Sequence, residues 1–271
     1  MTRYPEEPWH LAGRMYLSLW LVPARELPRV ADGTRPVTVA GRGAVGAAWV
    51  VYENDSVLHY NELLRAVLVR DGGRPRVCIT DIWVDSPASM TGGRELWGIP
   101  KELAEFAIDR TAVDRTAVDR TAVDRTAVDG TAHVGRADLG SAEVGTGGVG
   151  TGAAADKGVR GRAATAEGVV ATAATDEGVL AGAFFEPGRR LPGRWPLTYR
   201  VTQTLDGALK TSSVRSRSAV RAARARWITQ EDSPLGELGR RPPLLSLVLD
   251  DFTLRFGDAD LTSSARPAAT P

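Results

Sequence analysis

The chain has 271 residues, 43% of them hydrophobic, and a net charge of +1, which is enough apolar material for a sizeable core and too little charge to draw it to nucleic acid or to a membrane surface. Its single cysteine, Cys78 in the apolar run Val77-Cys78-Ile79, excludes an internal disulfide and reads as a buried structural thiol. No run approaches the length of about 18 apolar residues that spans a bilayer, and the first seven residues lack the apolar core of a secretion signal, so the expected location is cytoplasmic.

Taken in order, Tyr4-Pro5-Glu6-Glu7-Pro8-Trp9 reads as an extended arm, because two prolines forbid a helix. Residues 15–22, 37–40 and 45–52 have strand composition, with Gly-rich turns between them and a turn at Asn54-Asp55-Ser56. Residues 60–70 suit helix or strand. Asp71-Gly72-Gly73 favours the strand, since it supplies a hairpin turn into a partner at 76–84. Pro100 suits the first position of a helix with Glu102 and Glu105 in its first turn, which predicts a short helix to about Phe106 with Lys101 at its N-terminus.

At Asp109 the composition changes. Asp-Arg-Thr-Ala-Val occurs four times in tandem over 109–128, and residues 135–182 are almost wholly small or acidic, without an aromatic side chain. Four copies are too few to bury a solenoid core, and a period of five would turn a strand over at each copy. The expectation is therefore one domain, 1–271, interrupted by an expanded low-complexity segment at 109–182. Gly145-Thr146-Gly147-Gly148-Val149-Gly150 fits a dinucleotide-binding pattern but lacks the preceding strand that such a site requires. Order is expected to return at Phe184-Phe185. A loop at 188–196 follows, then a hairpin of 197–205 and 209–217 turning at Gly207, and strands at 244–249 and 252–256. Residues 219–227 read as helix or solvated strand, and the tail from Asp258 as frayed.

Chemistry concentrates in Gly92-Gly93-Arg94-Glu95-Leu96-Trp97-Gly98-Ile99-Pro100-Lys101. Lysine is rare here, with Lys101, Lys157 and Lys210 the only three among 34 basic residues. A lysine can lose its proton and attack a carbonyl, which arginine cannot. Lys157 and Lys210 have surface-like neighbours, whereas Lys101 follows a hydrophobic Leu-Trp-Gly-Ile-Pro wall. On the residues alone, a nucleophilic lysine and a stray surface lysine both stand. The histidines His10, His59 and His133 are scattered without ligand spacing, so no metal is expected.

The run from Asp85 to Lys101 resembles the signature of the acetoacetate decarboxylase superfamily, which ends in a Schiff-base lysine. Tyr60-Asn61-Glu62 is similar to that family's Y-x-E. The resemblance covers residues 4–107 well and 184–256 loosely. It implies a mainly β (α+β) fold, an antiparallel sheet rolled into a cone-like barrel with a few short helices around an apolar pocket. It also implies no cofactor, a small oxo-acid substrate and a homo-oligomer. Lys101 becomes the nucleophile and Glu62 a proton-shuttling carboxylate, with Trp83, Arg94, Trp97 and Ile99 lining the pocket.

Imine chemistry needs a neutral amine, and at the reference value only roughly four in ten thousand lysines are neutral at pH 7. An apolar pocket, a helix N-terminus or a nearby cation would help. Two departures from the family pattern stand out. Glu102 occupies the position of a second lysine, and the early strand brings no arginine toward a substrate carboxylate. The expected activity is a decarboxylase-like lyase. The alternatives are aldol-type or dehydration chemistry on the same lysine, or a non-catalytic barrel that binds a small ligand. Lys101→Ala is expected to abolish activity and leave folding intact.

Overall fold

The computed structural model describes residues 3–53, 55–110, 112–114 and 165–258. The tandem repeat beyond Asp114, the glycine-rich 145–150 motif, Lys157, His133 and the tail after Asp258 lie outside them.

The central strands read as near-continuous apolar runs because both of their faces are covered. β1 (Trp9–Pro23) pairs antiparallel with β4 (Arg42–Tyr52), after two short strands, β2 (Arg35–Pro36) and β3 (Thr38–Val39). β4 pairs with β5 (Tyr60–Asp71), and β5 turns back into β6 (Arg74–Val84). Gly72 and Gly73 sit at φ +53° and +80°, the left-handed geometry that a two-residue hairpin turn demands. The strand reading of 60–70 is thus the one observed.

Helix α1 (Pro87–Trp97) follows, then β7 (Lys101–Leu103), β8 (Glu105–Asp109) and β9 (Ala112–Asp114). The chain resumes with β10 (Thr165–Glu167), β11 (Val169–Thr175), β12 (Gly178–Arg190), β13 (Trp195–Leu205) and β14 (Ala208–Ile228). A single helical turn, α2 (Gly236–Gly239), and β15 (Leu245–Phe256) complete it. β9 and β10 form a separate two-stranded ribbon within the second of two compact units, residues 112–166.

In the first unit the strands run β13-β6-β5-β4-β1-β15-β14, and β14 pairs again with β13, which closes a ring. The pairing is antiparallel apart from single short parallel contacts of β6 with β13 and β7. β14 is long enough to leave the ring. Its first part pairs with β13 and its last part with β12, from which β11 and β8 extend. Residues 219–227 are therefore strand.

Two apolar clusters result. One takes residues from every ring strand, among them Leu11, Val50, Ile79, Val201, Val214 and Phe252, and fills the inward face. The other packs Trp20, Trp49, Leu63 and Trp83 on the outward face against Phe185 and Trp227.

Three expectations are corrected. The short helix at 100–106 is absent: residues 101–103 and 105–109 are strand, and the helix lies upstream at 87–97. Strands are present from Thr165 onward, well before Phe184. Ala171, Ala173, Ala181 and Ala183 of β11 and β12 are buried in the outward core, where small side chains let the layers approach closely. The segments 244–249 and 252–256 are one strand, β15.

Candidate active site

Local signals fix the loop that carries the lysine. Ser86 caps α1 by accepting a 3.2 Å hydrogen bond from the Ser89 backbone N–H, and Pro87 opens the first turn. Gly98, at φ +66°, ends the helix and donates its N–H to the Arg94 carbonyl. A side chain at Gly98 would also collide with the Thr204 carbonyl oxygen, 2.2 Å from the position of its Cβ. Ile99 and Pro100 then turn the chain into β7, where Lys101 lies opposite Ile82 and Glu102 opposite Trp83. Paired residues share a face, so Lys101 enters the inward side with Ile82 while Glu102 is exposed.

The same period of two places Tyr60, Glu62 and Leu64 of β5 inward. Lys101 is 4% exposed, Glu62 3% and Ser89 0%. The ammonium has three hydrogens and meets three acceptors: Ser89 Oγ at 2.8 Å, Glu62 Oε2 at 2.9 Å and Tyr60 OH at 3.3 Å. Tyr52 donates to the other carboxylate oxygen, Glu62 Oε1, at 3.1 Å. Gly93 gives the lysine its room: a Cβ there would lie 2.7 Å from Lys101 Cδ and 2.9 Å from Cε.

The group opens onto a cavity of about 80 Å³, lined by apolar side chains from β1, β5, β6, β13 and β15 and by the phenols Tyr52, Tyr60 and Tyr199. Trp97 and Ile99 line it. Trp97 is held by a 2.6 Å bond from its Nε1 to Glu7 and by edge contact with Trp9, so the N-terminal arm braces this wall.

Trp83 and Arg94 do not line it. Trp83 alternates with the inward Ile82 and so faces the outward core, where it edges an open groove beside Glu102. Arg94 is exposed on α1 and donates Nε to the Lys101 carbonyl at 2.6 Å, fastening the β7 backbone from outside.

The electrostatics differ from the expected depressed lysine. Burial pushes the Lys101 pKa down, but the Glu62 charge, Tyr60 and their hydrogen bonds outweigh it, and the net shift is upward. Lys101 stands after a helix C-terminus rather than at an N-terminus, and no second cation lines the cavity among the described residues. The carboxylate that raises it is Glu62, not Glu102. Burial raises the Tyr52 phenol well above the ordinary range, with the Glu62 charge adding to it. Tyr199 is pushed up to about 12, by burial first and the Glu62 charge second. Both phenols are therefore donors at neutral pH.

Among these groups, Tyr60 was visible through the resemblance of Tyr60-Asn61-Glu62 to the Y-x-E motif. Ser89 had no signal beyond its place in the signature run, and Tyr52 and Tyr199 carried none, since only the ring topology brings them in.

The class is defined by a mainly β ring that carries a buried lysine and carboxylate on its inward face, beside an apolar cavity. The sequence model of the acetoacetate decarboxylase family matches residues 30–167, half of the chain, and the protein belongs to that family. Among solved structures it is similar to an acetoacetate decarboxylase from Legionella pneumophila, with TM-score 0.54 and 13% identity over 95% of this chain and 88% of that one. It is also similar to an acetoacetate decarboxylase-like enzyme from Sphingomonas wittichii RW1, with TM-score 0.50 and 16% identity over 94% and 92% of the two chains. A third is the enduracididine biosynthesis enzyme MppR in complex with pyruvate, with TM-score 0.50 and 16% identity over 94% and 89%. At these identities the likeness is one of fold. No curated protein matches the chain.

Proposed function

We propose that this protein is a Schiff-base carbon–carbon lyase that acts on a small carbonyl compound through Lys101, with Glu62 as its proton carrier. The observation that carries the reading is the buried Lys101–Glu62 pair at 2.9 Å, facing an apolar cavity.

The ammonium cannot attack. Of its three acceptors Glu62 is the base, since a carboxylate accepts a proton far better than a neutral serine hydroxyl or tyrosine phenol. Transfer to Glu62 leaves a neutral amine beside a neutral acid, which suits the apolar surroundings. The amine attacks the carbonyl carbon, and a proton passes from the attacking nitrogen to the former carbonyl oxygen, which gives a neutral carbinolamine while Glu62 keeps its own proton. Glu62 then gives its proton to that hydroxyl, water leaves, and the nitrogen lone pair forms the iminium. Lysine, carbonyl and carboxylate have become iminium, water and carboxylate, with net charge unchanged.

The iminium accepts the electron pair of the neighbouring carbon–carbon bond as that bond breaks, giving an enamine. Protonation of the enamine carbon and hydrolysis restore Lys101. The substrate falls in the size class of small oxo acids and their uncharged analogues, the class to which the pyruvate bound by MppR belongs.

Decarboxylation and retro-aldol cleavage share this first half. The aldol-type reading is favoured by Glu62: a carboxylate beside the iminium can take the proton from a β-hydroxyl as the bond breaks, a step that decarboxylation does not need.

The test is borohydride trapping with a panel of small oxo compounds, mapped by peptide mass spectrometry. Reduction of a substrate adduct onto Lys101 is expected. A folded protein that yields no adduct across the neutral to mildly alkaline range overturns the Schiff-base reading.

A further inference from the structure

We infer that the cavity selects uncharged carbonyl compounds, such as ketones, aldehydes and oxo amides, over oxo-acid anions of the same size. The inference rests on the Schiff-base reading for its chemistry and adds the charge class of the substrate, where the sequence expectation was an oxo acid.

The argument is one of charge balance. Among the described residues, Lys101 and Glu62 are the two charged side chains lining the cavity, and they are already each other's partner at 2.9 Å. The remaining lining is thirteen apolar side chains and three phenols. At rest the site is neutral, with every hydrogen of the ammonium in use.

With an uncharged carbonyl the site stays neutral at each stage: ammonium and carboxylate, then amine and acid, then iminium and carboxylate. An oxo-acid anion would add a negative charge in a space of about 80 Å³ that already holds the Glu62 carboxylate. Lys101 cannot relieve it, because the nitrogen that would hold the anion is the one that must lose its proton and attack. At the iminium stage two carboxylates would compete for one cation. Burying an anion without a partner is strongly unfavourable, and a like charge on the wall adds to that.

Phenols are suited to the uncharged case, since a neutral carbonyl oxygen asks only for a hydrogen-bond donor. An uncharged substrate has no carboxylate to lose. The bond broken is then an aldol-type bond, in agreement with the role of Glu62 as a base.

The experiment compares isosteric pairs, pyruvate with pyruvamide and acetoacetate with acetoacetamide, on the wild-type protein at neutral pH. Borohydride-fixed adduct on Lys101 is quantified by mass spectrometry, and binding without reductant is followed in parallel by ligand-observed NMR. The amides are expected to give at least about tenfold more adduct and tighter binding than the acids. Glu62→Gln, which removes the competing charge, is expected to narrow the binding gap.

Equal or stronger binding and trapping of the acids overturns the inference, as does failure of either amide to bind. An amide that binds in preference to its acid yet is never trapped supports the charge selection and sinks the Schiff-base reading instead.

Discussion

Gly93→Ala separates the stability of the fold from the chemistry of the lysine. The added methyl would sit 2.7 Å from Lys101 Cδ, 2.9 Å from Cε and 3.3 Å from Cγ. Carbon atoms rest at about 3.5–4.0 Å, so the lysine stem has to retreat by about 1 Å. Its nitrogen sits 2.8 Å from Ser89 and 2.9 Å from Glu62, and a shift of that size takes at least one of these contacts out of hydrogen-bond range. Misplacing a reacting group by 1 Å costs about a hundredfold in rate. For stability, alanine gains about 1 kcal/mol over glycine in a helix interior, against about 1–3 kcal/mol for overpacking. The net loss is therefore expected to be no more than about 2 kcal/mol. The assay is the initial rate of borohydride-dependent labelling of Lys101, beside a urea unfolding curve. A folded variant that labels at the wild-type rate refutes the claim that Gly93 is the space the lysine needs. Gly92→Ala is the contrast, because its methyl meets the rings of Trp9 and Tyr4 and so disturbs the N-terminal arm first.

The buried pair also changes what removing the lysine does to folding. Lys101→Met leaves Glu62 buried without a counter-charge and is expected to cost about 3–5 kcal/mol, most of it recovered by adding Glu62→Gln. Urea unfolding of the three proteins checks this, and a Lys101→Met protein as stable as wild type contradicts it. Because the lysine pKa is raised in the fold, its contribution is complete below the unfolded-lysine value near 10.4 and is lost as pH climbs through the higher folded value. The stability difference between wild type and the double variant should stay level from neutral pH to about 10 and shrink above it. Trp83→Ala removes a ring from the outward core and should cost about 3–5 kcal/mol, while the protein that remains folded traps substrate at the wild-type rate. Slower trapping per folded molecule would put Trp83 back in the pocket.

The legible parts of the sequence were those decided locally. Gly72-Gly73 between two apolar runs specified the β5–β6 hairpin, and the scarcity of lysine together with the signature run singled out Lys101. The helix was misplaced because Gly92 and Gly93 lower helix propensity across the stretch where it forms, although Ser86-Pro87 and Gly98 were there as start and stop signals. The family resemblance placed Trp83 and Arg94 at the pocket. A strand sends neighbours to opposite faces, and a helix that ends just before the lysine puts Arg94 outside. Ser89 and Tyr52 bond the amine and its carboxylate, and Tyr199 joins the cavity wall, only after the ring has closed, so no short window of sequence could reveal them. The alanine-rich strands β11 and β12 were hidden by composition. An alanine run reads as filler until the partner that it lets approach is known.

The division of the ring strands between two cores has a consequence for how such a protein can change. On β4, Ala48, Val50 and Tyr52 face the chamber, and Val45, Ala47 and Trp49 face the outer layer. Odd and even positions of one strand thus answer to different demands. The aromatic side chains that join the ring to the outer layer, Trp20, Trp49, Trp83, Phe185 and Trp227, lie on the side away from the lysine. Substitutions that reshape the chamber can accumulate at alternate positions without loosening that layer. Descendants of one such chain can thereby diverge in what they accept while remaining the same architecture.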